Sequence, residues 1–188
     1  MWIDEALRVA MALLPVLMFL AALRVLDSYK LVSLRTVGTA LAAGAVAAAI
    51  CYGINTVIFR QLHANPDQYI HFGAPVVEEL AKGAFWVFLI ATARVAFMVD
   101  SAICGFAIGA GFALVENISY LQALKGRGFG VWLMRGFGTA VMHGGVAAIG
   151  AFICVYLSES RQWRGVRQFV PGLVVAMLLH SLFNQGVL

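Results

Sequence analysis

The sequence has few charged residues for its length. Asp, Glu, Lys and Arg make up 12% of its 188 residues and apolar residues make up 62%, whereas a soluble domain has about 25% charged and 45–50% apolar residues. This balance excludes an ordinary soluble domain and leaves no room for one beside a membrane bundle. The net charge is only +4, and the basic residues cluster in short connectors, which is typical of membrane topology and argues against nucleic acid as a partner. We therefore predict a multi-pass membrane protein surrounded by lipids.

Cysteine is also scarce, and the common zinc and redox motifs are missing. The three cysteines, Cys51, Cys104 and Cys154, each lie within an apolar run, and there is no CxxC. An odd number of isolated cysteines argues against a disulfide framework and a zinc knuckle, so we interpret them as small packing residues. HExxH is absent as well, which removes the usual helical zinc-protease motif.

Six apolar runs are long enough to span a bilayer, for which about 20 residues are needed. They cover roughly residues 6–26, 36–59, 71–93, 101–123, 131–157 and 169–187. The connectors are short, so neighbouring helices are predicted to be antiparallel. The expected fold is an all-α integral membrane protein, a compact bundle of about six transmembrane helices that forms a single domain over residues 1–188. The first run is interpreted as a retained span, because no clear cleavage site accompanies it.

The distribution of Lys and Arg predicts the orientation of this bundle. The connectors after the first, third and fifth runs carry more of these residues than the opposite connectors. Connectors rich in Lys and Arg favour the cytoplasmic side. We therefore expect both termini to lie outside the cell membrane.

The third run contains the sequence APVVEELAKGAFW and carries three ionisable groups inside an apolar segment. Each charged residue costs about 2.5–3.5 kcal/mol at the centre of a spanning helix. Lys82 lies three residues after Glu79 and four after Glu78, so in a helix it can reach either carboxylate. The segment is acceptable in a membrane if these groups face protein and pair with one another.

Three further runs carry polar groups that could meet the first set. In chain order these are Glu116, Asn117, Arg135, His143, His180 and Asn184. With a rise of 1.5 Å per residue, Glu78 and the acidic and imidazole groups of this set lie about 10–18 Å from the same face of the bilayer. Ionisable residues inside a membrane are functional candidates, and their common depth predicts one polar site toward the outer leaflet. Asn55, in the second run, is expected to make an interhelical hydrogen bond.

Carboxylates, imidazoles and a neutral donor around one cavity are suited to the attack of water on a carbonyl group. A glutamate would accept the water proton, and His180 with Asn184, four residues apart on one helix face, would donate hydrogen bonds to the oxyanion. Zinc is the alternative, because carboxylates and imidazoles are also its ligands. If a metal is present, its expected ligands are Glu78, Glu116, His143 and His180. Chemistry without a metal or other cofactor is favoured, because these ligands come from separate helices with no diagnostic spacing.

Four motifs in order along the chain resemble those of the PrsW family of intramembrane proteases, which are relatives of the CAAX prenyl endopeptidases and the bacterial CPBP group. They are EELAK (EExxK), FALVEN (FxxxE followed by Asn), the histidine of MHGG, and HSLFN (HxxxN), and together they extend over about residues 71–186. The resemblance implies a bacterial cell-membrane peptidase of glutamic type. Its expected substrate is a membrane-anchored protein, for example an anti-sigma factor, cut near the outer face.

The resemblance also implies roles for individual residues. The EExxK motif supplies the base from either of its glutamates, and the HxxxN motif resembles the oxyanion-stabilising pair of the CAAX endopeptidases. Glu116 stands where those relatives have histidine, which leaves His143 to fill that place or to support it. The catalytic residues expected from the family are Glu78, Glu79, Glu116, His143, His180 and Asn184, supported by Lys82, Asn117 and Arg135.

Two other classes of function are open from the same residues. Acidic residues and histidines inside a membrane are also typical of proton- or ion-coupled transporters, although the chain is short and shows no inverted repeat or pair of broken spans. A non-catalytic membrane scaffold or self-immunity protein is the third class. The presence of the whole polar set argues against it.

Overall fold

The computed structural model describes residues 2–26, 32–61, 65–124 and 126–187, and every regular element in these ranges is helical. The helices in chain order are α1 (Trp2–Leu26), α2 (Leu34–Gln61), α3 (Pro66–Gln68), a π-helical turn (Tyr69–Gly73), α4 (Ala74–Ala91), α5 (Met98–Ala123), α6 (Phe129–Arg161) and α7 (Val166–Val187). Five of them, α1, α2, α5, α6 and α7, are long and apolar enough to cross a membrane. The predicted all-helical membrane bundle is confirmed.

α4 is the third predicted span, and its three charged residues keep it outside that group of five. α3, the π-helical turn and α4 follow one another without a break from residue 66 to residue 91, so this helical segment begins five residues before the expected start. Glu79 and Lys82 are 1% and 0% exposed. These charges therefore lie inside the bundle and do not face lipid. A position facing protein was the predicted condition for this segment to be stable in a membrane.

α5 forms the centre of the bundle. Within its apolar span 72% of the residues are buried, the largest share among the five spans, and α5 packs against α1, α2, α4 and α6. Alanine and glycine are frequent between Cys104 and Ala113, and small residues let neighbouring helices approach closely. The three cysteines are buried and free, as expected for packing residues.

The GxxxG sequence of α5 is a contact with α6. A Cβ atom at Gly109 would overlap the carbonyl oxygen of His143, and a Cβ at Gly105 would lie 2.6 Å from the carbonyl oxygen of Ala147. Larger residues at these two positions would force the helices apart. The close approach places the backbone of His143 against α5, two turns before Glu116 on that helix.

Asn117 ties three helices together through its side-chain amide. Its Nδ2 donates to the carbonyl oxygen of Ala12 in α1 at 2.8 Å, and its Oδ1 accepts from the hydroxyl of Thr139 in α6 at 3.1 Å. Asn117 is fully buried. Because a buried amide left without partners costs about 1–3 kcal/mol, these bonds favour one arrangement of α1, α5 and α6.

The π-helical turn before α4 has a local cause in Pro75. The N–H of Ala74 bonds to the carbonyl of Tyr69, five residues earlier. In this register the next carbonyl, that of Ile70, would accept from residue 75, but proline has no N–H to donate. Asn184 of α7 supplies a donor instead, with its Nδ2 2.9 Å from the Ile70 carbonyl oxygen. The end of α7 is thereby joined to the turn that leads into α4.

Candidate active site

α4 presents a buried ion pair to the interior of the bundle. Lys82 Nζ lies 2.5 Å from Glu79 Oε1, and a spacing of three residues puts both side chains on one helix face. The sequence allowed Lys82 to pair with either glutamate of the motif, and the structure pairs it with Glu79. Removing one member of such a buried pair typically costs about 3–5 kcal/mol, because the other charge is left without compensation.

Lys82 also determines which nitrogen of His143 carries the proton. Lys82 Nζ lies 2.9 Å from His143 Nδ1, and an ammonium group can only donate. His143 Nδ1 is therefore the acceptor, and the imidazole proton resides on Nε2. That nitrogen lies 2.7 Å from Glu116 Oε2, so the fully buried ring donates to the carboxylate of α5.

His180 of α7 is oriented by Glu79, the carboxylate of the same ion pair. Its Nδ1 lies 2.7 Å from Glu79 Oε1, so it donates to that carboxylate. Its second nitrogen, Nε2, lies 3.8 Å from Glu78 Oε2. The rings of His143 and His180 are perpendicular to each other, with centroids 5.1 Å apart. Glu79 therefore holds His180 so that its free ring nitrogen is turned toward Glu78.

Glu116 is held from two sides. His143 contacts its Oε2, and Arg135 Nη2 lies 3.2 Å from its Oε1. The guanidinium group of Arg135 in turn stacks on the ring of Tyr120, with 3.6 Å between the guanidinium carbon and the ring centroid. A cation over an aromatic face is stabilised by the ring quadrupole. Arg135 is thus positioned by Tyr120 and compensates the charge of Glu116.

These contacts form one continuous chain of polar groups across four helices. In spatial order the members are Arg135, Glu116, His143, Lys82, Glu79 and His180, with Glu78 beside the last. Arg135 lies at one end of this chain and Lys82 in its middle, and each contacts a carboxylate. The predicted convergence of the acidic, basic and imidazole groups on one place is thus seen in the structure.

A cavity of about 340 Å³ adjoins this chain. It lies between α2, α4 and α5, and the two carboxylates that line it are those of Glu78 and Glu116. Their side chains are 13% and 26% exposed, whereas that of Glu79 is 1% exposed. Glu78 and Glu116 are therefore accessible from the cavity, and Glu79 is not.

The two predicted amides lie outside the chain of contacts. Asn184 donates to the carbonyl of Ile70, and Asn117 bonds to Ala12 and Thr139. The expected role of Asn184 in stabilising an oxyanion stays a prediction. In the structure its amide nitrogen is engaged by the π-helical turn.

Two residues at the cavity had no assigned part in the site. Tyr120 supports Arg135, and Asn55, for which only an interhelical hydrogen bond was predicted, makes that bond and also lines the cavity. The sequence contains only weak signals for the roles of these two residues. Tyr120 lies four residues after Glu116 on the same helix face, and Asn55 is the one carboxamide in the apolar run 36–59.

Among the groups of this site, Glu78, His143 and His180 each offer a ligand atom within 4.8 Å of the other two. One carboxylate and two imidazoles are a known set of ligands for catalytic zinc, which leaves a fourth position open. Glu116, the fourth expected ligand, does not belong to this group of three and instead contacts the Nε2 of His143.

The fold and the site define a multi-pass membrane protein with an acid–base centre inside its helical bundle. The model of a family described as PrsW family intramembrane metalloprotease matches residues 32–188. The chain belongs to this family, as its motifs predicted, and is a membrane-embedded protease. Searches of curated proteins and of solved structures give no match.

Proposed function

We propose that the protein hydrolyses a peptide bond of a membrane-anchored protein by the attack of a water molecule that Glu78 deprotonates. The observation that carries this proposal is the different exposure of the two adjacent glutamates. Glu78 is accessible from the 340 Å³ cavity, whereas Glu79 is enclosed and bonded to Lys82 and His180. A general base must come within hydrogen-bonding reach of the proton that it removes, and of these two residues Glu78 meets that condition.

Glu79 acts in this proposal as the residue that orients His180. With its Nδ1 proton donated to Glu79, His180 directs Nε2 toward Glu78, 3.8 Å away. One water molecule can contact both atoms. The pair therefore holds the nucleophile, and Lys82 keeps Glu79 charged so that the orientation is maintained.

Glu116 is the second carboxylate at the cavity, and its partners fix its position. Arg135 and His143 together occupy both of its oxygens. We assign to it the placement of the substrate peptide opposite Glu78. His143 and Lys82 link Glu116 to Glu79 through the bundle.

The family resemblance and the position of the site support our proposal for the substrate class and the side of cleavage. The family acts within membranes, and we propose a membrane-anchored protein such as an anti-sigma factor, cut near the outer face of a bacterial cell membrane. Ala12 of α1 contacts Asn117 near the end of α5, and Phe19 packs against Phe106 nearer the start of α5. α1 is therefore antiparallel to α5, with its beginning toward the site, and the contact between Asn184 and Ile70 brings the end of α7 to the same side. This agrees with the proposed outside location of both termini.

A second candidate mechanism uses a metal ion, and two observations favour it. The family is described as a metalloprotease, and the donor types and spacing of Glu78, His143 and His180 fit zinc. These three residues would hold the ion, and one ring nitrogen of His143 would give up its bond to Lys82 or to Glu116. Bound zinc would polarise the substrate carbonyl and make water acidic enough to ionise near neutral pH. Since His143 has both ring nitrogens engaged in the structure, we place the metal-free mechanism first.

Replacement of Glu78 tests the proposal directly. Membranes of cells that produce the wild-type protein or Glu78→Gln would be compared for new protein termini by mass spectrometry, and the strongest cleavage junction would be built into a single-span fluorogenic reporter. General-base catalysis contributes about 10²- to 10⁴-fold, so we expect Glu78→Gln to lower kcat by that factor in liposomes.

The matched control is Glu159→Gln, the same substitution on the exposed end of α6 away from the site. It should leave kcat unchanged. Wild-type cleavage by a correctly inserted Glu78→Gln protein would refute the assignment of the base. Cleavage by the Glu78→Gln and Glu79→Gln double variant would refute glutamate-dependent hydrolysis.

A further inference from the structure

Asn55 is the amide that the fold places at the reaction cavity. It lies on α2, is partly buried, and lines the same 340 Å³ cavity as Glu78 and Glu116. The sequence offered His180 and Asn184, on another helix, as the donors for an oxyanion. Asn184 donates to the Ile70 carbonyl and is not among the residues that line this cavity, so Asn55 is the amide side chain that shares the cavity with the proposed base.

A hydrogen bond from the π-helical turn fixes the orientation of the Asn55 side chain. The hydroxyl of Tyr69 donates to Asn55 Oδ1 at 2.6 Å. Tyr69 is itself held, because it is 9% exposed and stacks edge-to-face on Phe59 with ring centroids 4.8 Å apart. With its oxygen occupied, the Asn55 amide presents its nitrogen, which has two N–H donors, to the remaining neighbours.

On the cavity side, Asn55 of α2 and Glu78 of α4 line the same space. A water molecule held by Glu78 attacks a carbonyl carbon that must lie close to this carboxylate. Because Asn55 lines the cavity that Glu78 also lines, we take the carbonyl oxygen of that peptide to lie within reach of the Asn55 amide nitrogen. A fixed neutral donor at this place is what the developing negative charge requires.

We infer that Asn55 donates a hydrogen bond to the carbonyl oxygen of the scissile peptide and stabilises the oxyanion, an inference that rests on the proposed function. The water oxygen forms a bond to the carbonyl carbon while Glu78 takes one water proton, and the C=O π electrons move to the oxygen that Asn55 binds. When the C–O double bond re-forms, the C–N bond breaks and the leaving amine takes the proton from Glu78. Tyr69 is a positioning residue that acts through Asn55.

Three variants of this pair separate an oxyanion donor from a simple link between helices. Asn55→Ala removes the donor and the link. Asn55→Asp keeps an oxygen that can accept from Tyr69 but removes the amide donor, and Tyr69→Phe removes the link but keeps the amide. Thr56→Ala is the matched control on α2, because the Thr56 hydroxyl bonds to the carbonyl of Tyr52 in its own helix.

The measurement is kcat and KM for the single-span reporter in liposomes, with thermal unfolding of each purified variant. Loss of one oxyanion donor lowers kcat about 10²- to 10³-fold, so we expect this decrease for Asn55→Ala and Asn55→Asp with little change in KM. Tyr69→Phe should show a much smaller decrease, because the amide is still present. Thr56→Ala should behave like the wild type.

Several results would overturn the inference while leaving the proposed base intact. These are wild-type kcat in Asn55→Ala, equal losses in Asn55→Ala and Tyr69→Phe, or a loss in Asn55→Asp alone, which would indicate charge repulsion by Glu78. If Asn55→Ala does not fold, Asn55→Leu takes its place, because leucine is uncharged, has a similar size and lacks the amide donor, and its kcat relative to that of Tyr69→Phe decides. Failure of the proposed function itself would instead appear as full activity in Glu78→Gln.

Discussion

The two ends of the helical bundle each contain a cavity, but only one of these cavities adjoins a buried chain of acids and imidazoles. The cavity at the site end has a volume of about 340 Å³ and is lined by Glu78 and Glu116. The cavity at the opposite end is larger, about 470 Å³, and its charged residues are Glu159 and Arg164. Both of these are exposed, and Arg164 bonds to Ser158. The difference shows that the partners behind a cavity, rather than its size, mark the site.

Within a single turn, α4 passes from the chain of polar groups to an apolar part of the core. Lys82 and Trp86 lie four residues apart and are 0% and 1% exposed. Trp86 packs in an apolar cluster with Cys104 and Cys154, whereas Lys82 contacts Glu79 and His143. A buried charge without its partner is strongly unfavourable, whereas most substitutions of exposed residues have little effect on stability. Substitutions at the two ends should therefore differ sharply.

Replacement of a buried cation should have the largest effect on stability. Lys82→Met leaves Glu79 without its ammonium partner, so we expect a loss of about 3–5 kcal/mol in the free energy of unfolding, together with loss of cleavage. Arg164→Met, at the exposed opposite end, should change the free energy of unfolding by less than about 0.5 kcal/mol. Unfolding of both variants in detergent micelles measures the difference, and equal effects would contradict the contrast between the two ends.

Substitution at the helix crossing behind His143 should have a smaller effect. Gly109→Ala would place a methyl group against the His143 carbonyl oxygen, and overpacking of this kind costs about 1–3 kcal/mol. The shift of α6 should also lower kcat, because it displaces His143 from Glu116. Gly145→Ala is the control, since no atom lies within 4 Å of a Cβ there. Equal unfolding free energies for the two variants would show that the crossing is not tightly packed.

Metal removal should have the smallest effect on activity. We expect cleavage of the reporter to persist after chelation, because Glu78 can accept the water proton without an ion and His143 is bonded to Lys82 and Glu116. Elemental analysis of the active protein accompanies the assay. One zinc ion per chain, with activity lost on chelation and restored by Zn²⁺, would instead support the metal mechanism with Glu78, His143 and His180 as ligands.

The sequence predicted the helices and the meeting of the polar groups for physical reasons that operate locally. Apolar runs of sufficient length must be helical in lipid, because their backbone groups need internal partners. The groups that such helices carry at one depth avoid lipid by facing one another, which is why Glu116 and His143 were expected near Glu78. The partners themselves were not predictable. Lys82 could reach either glutamate of its motif, and a choice between them depends on where α6 and α7 place their imidazoles.

The tertiary structure likewise decided the positions of the carboxamides. Asn184 was assigned to the chemistry from its motif, but the missing N–H of Pro75 leaves the Ile70 carbonyl in need of a donor, and α7 brings Asn184 to it. Asn55 was expected only to join helices, and the cavity between α2, α4 and α5 places it beside Glu78. Neither contact follows from spacing along one helix.

By itself, the sequence determined that this protein is a helical membrane bundle, that it belongs to a family of intramembrane proteases, and that its acids and histidines share one depth. Composition and spacing suffice for the bundle and for the common depth because the bilayer constrains length, polarity and depth, whereas the family follows from the resemblance of the four motifs. Only the tertiary structure decided that Glu78 is open to a cavity while Glu79 is enclosed. Adjacent residues on a helix point in different directions, and which direction meets protein, cavity or lipid depends on the packing of the other helices.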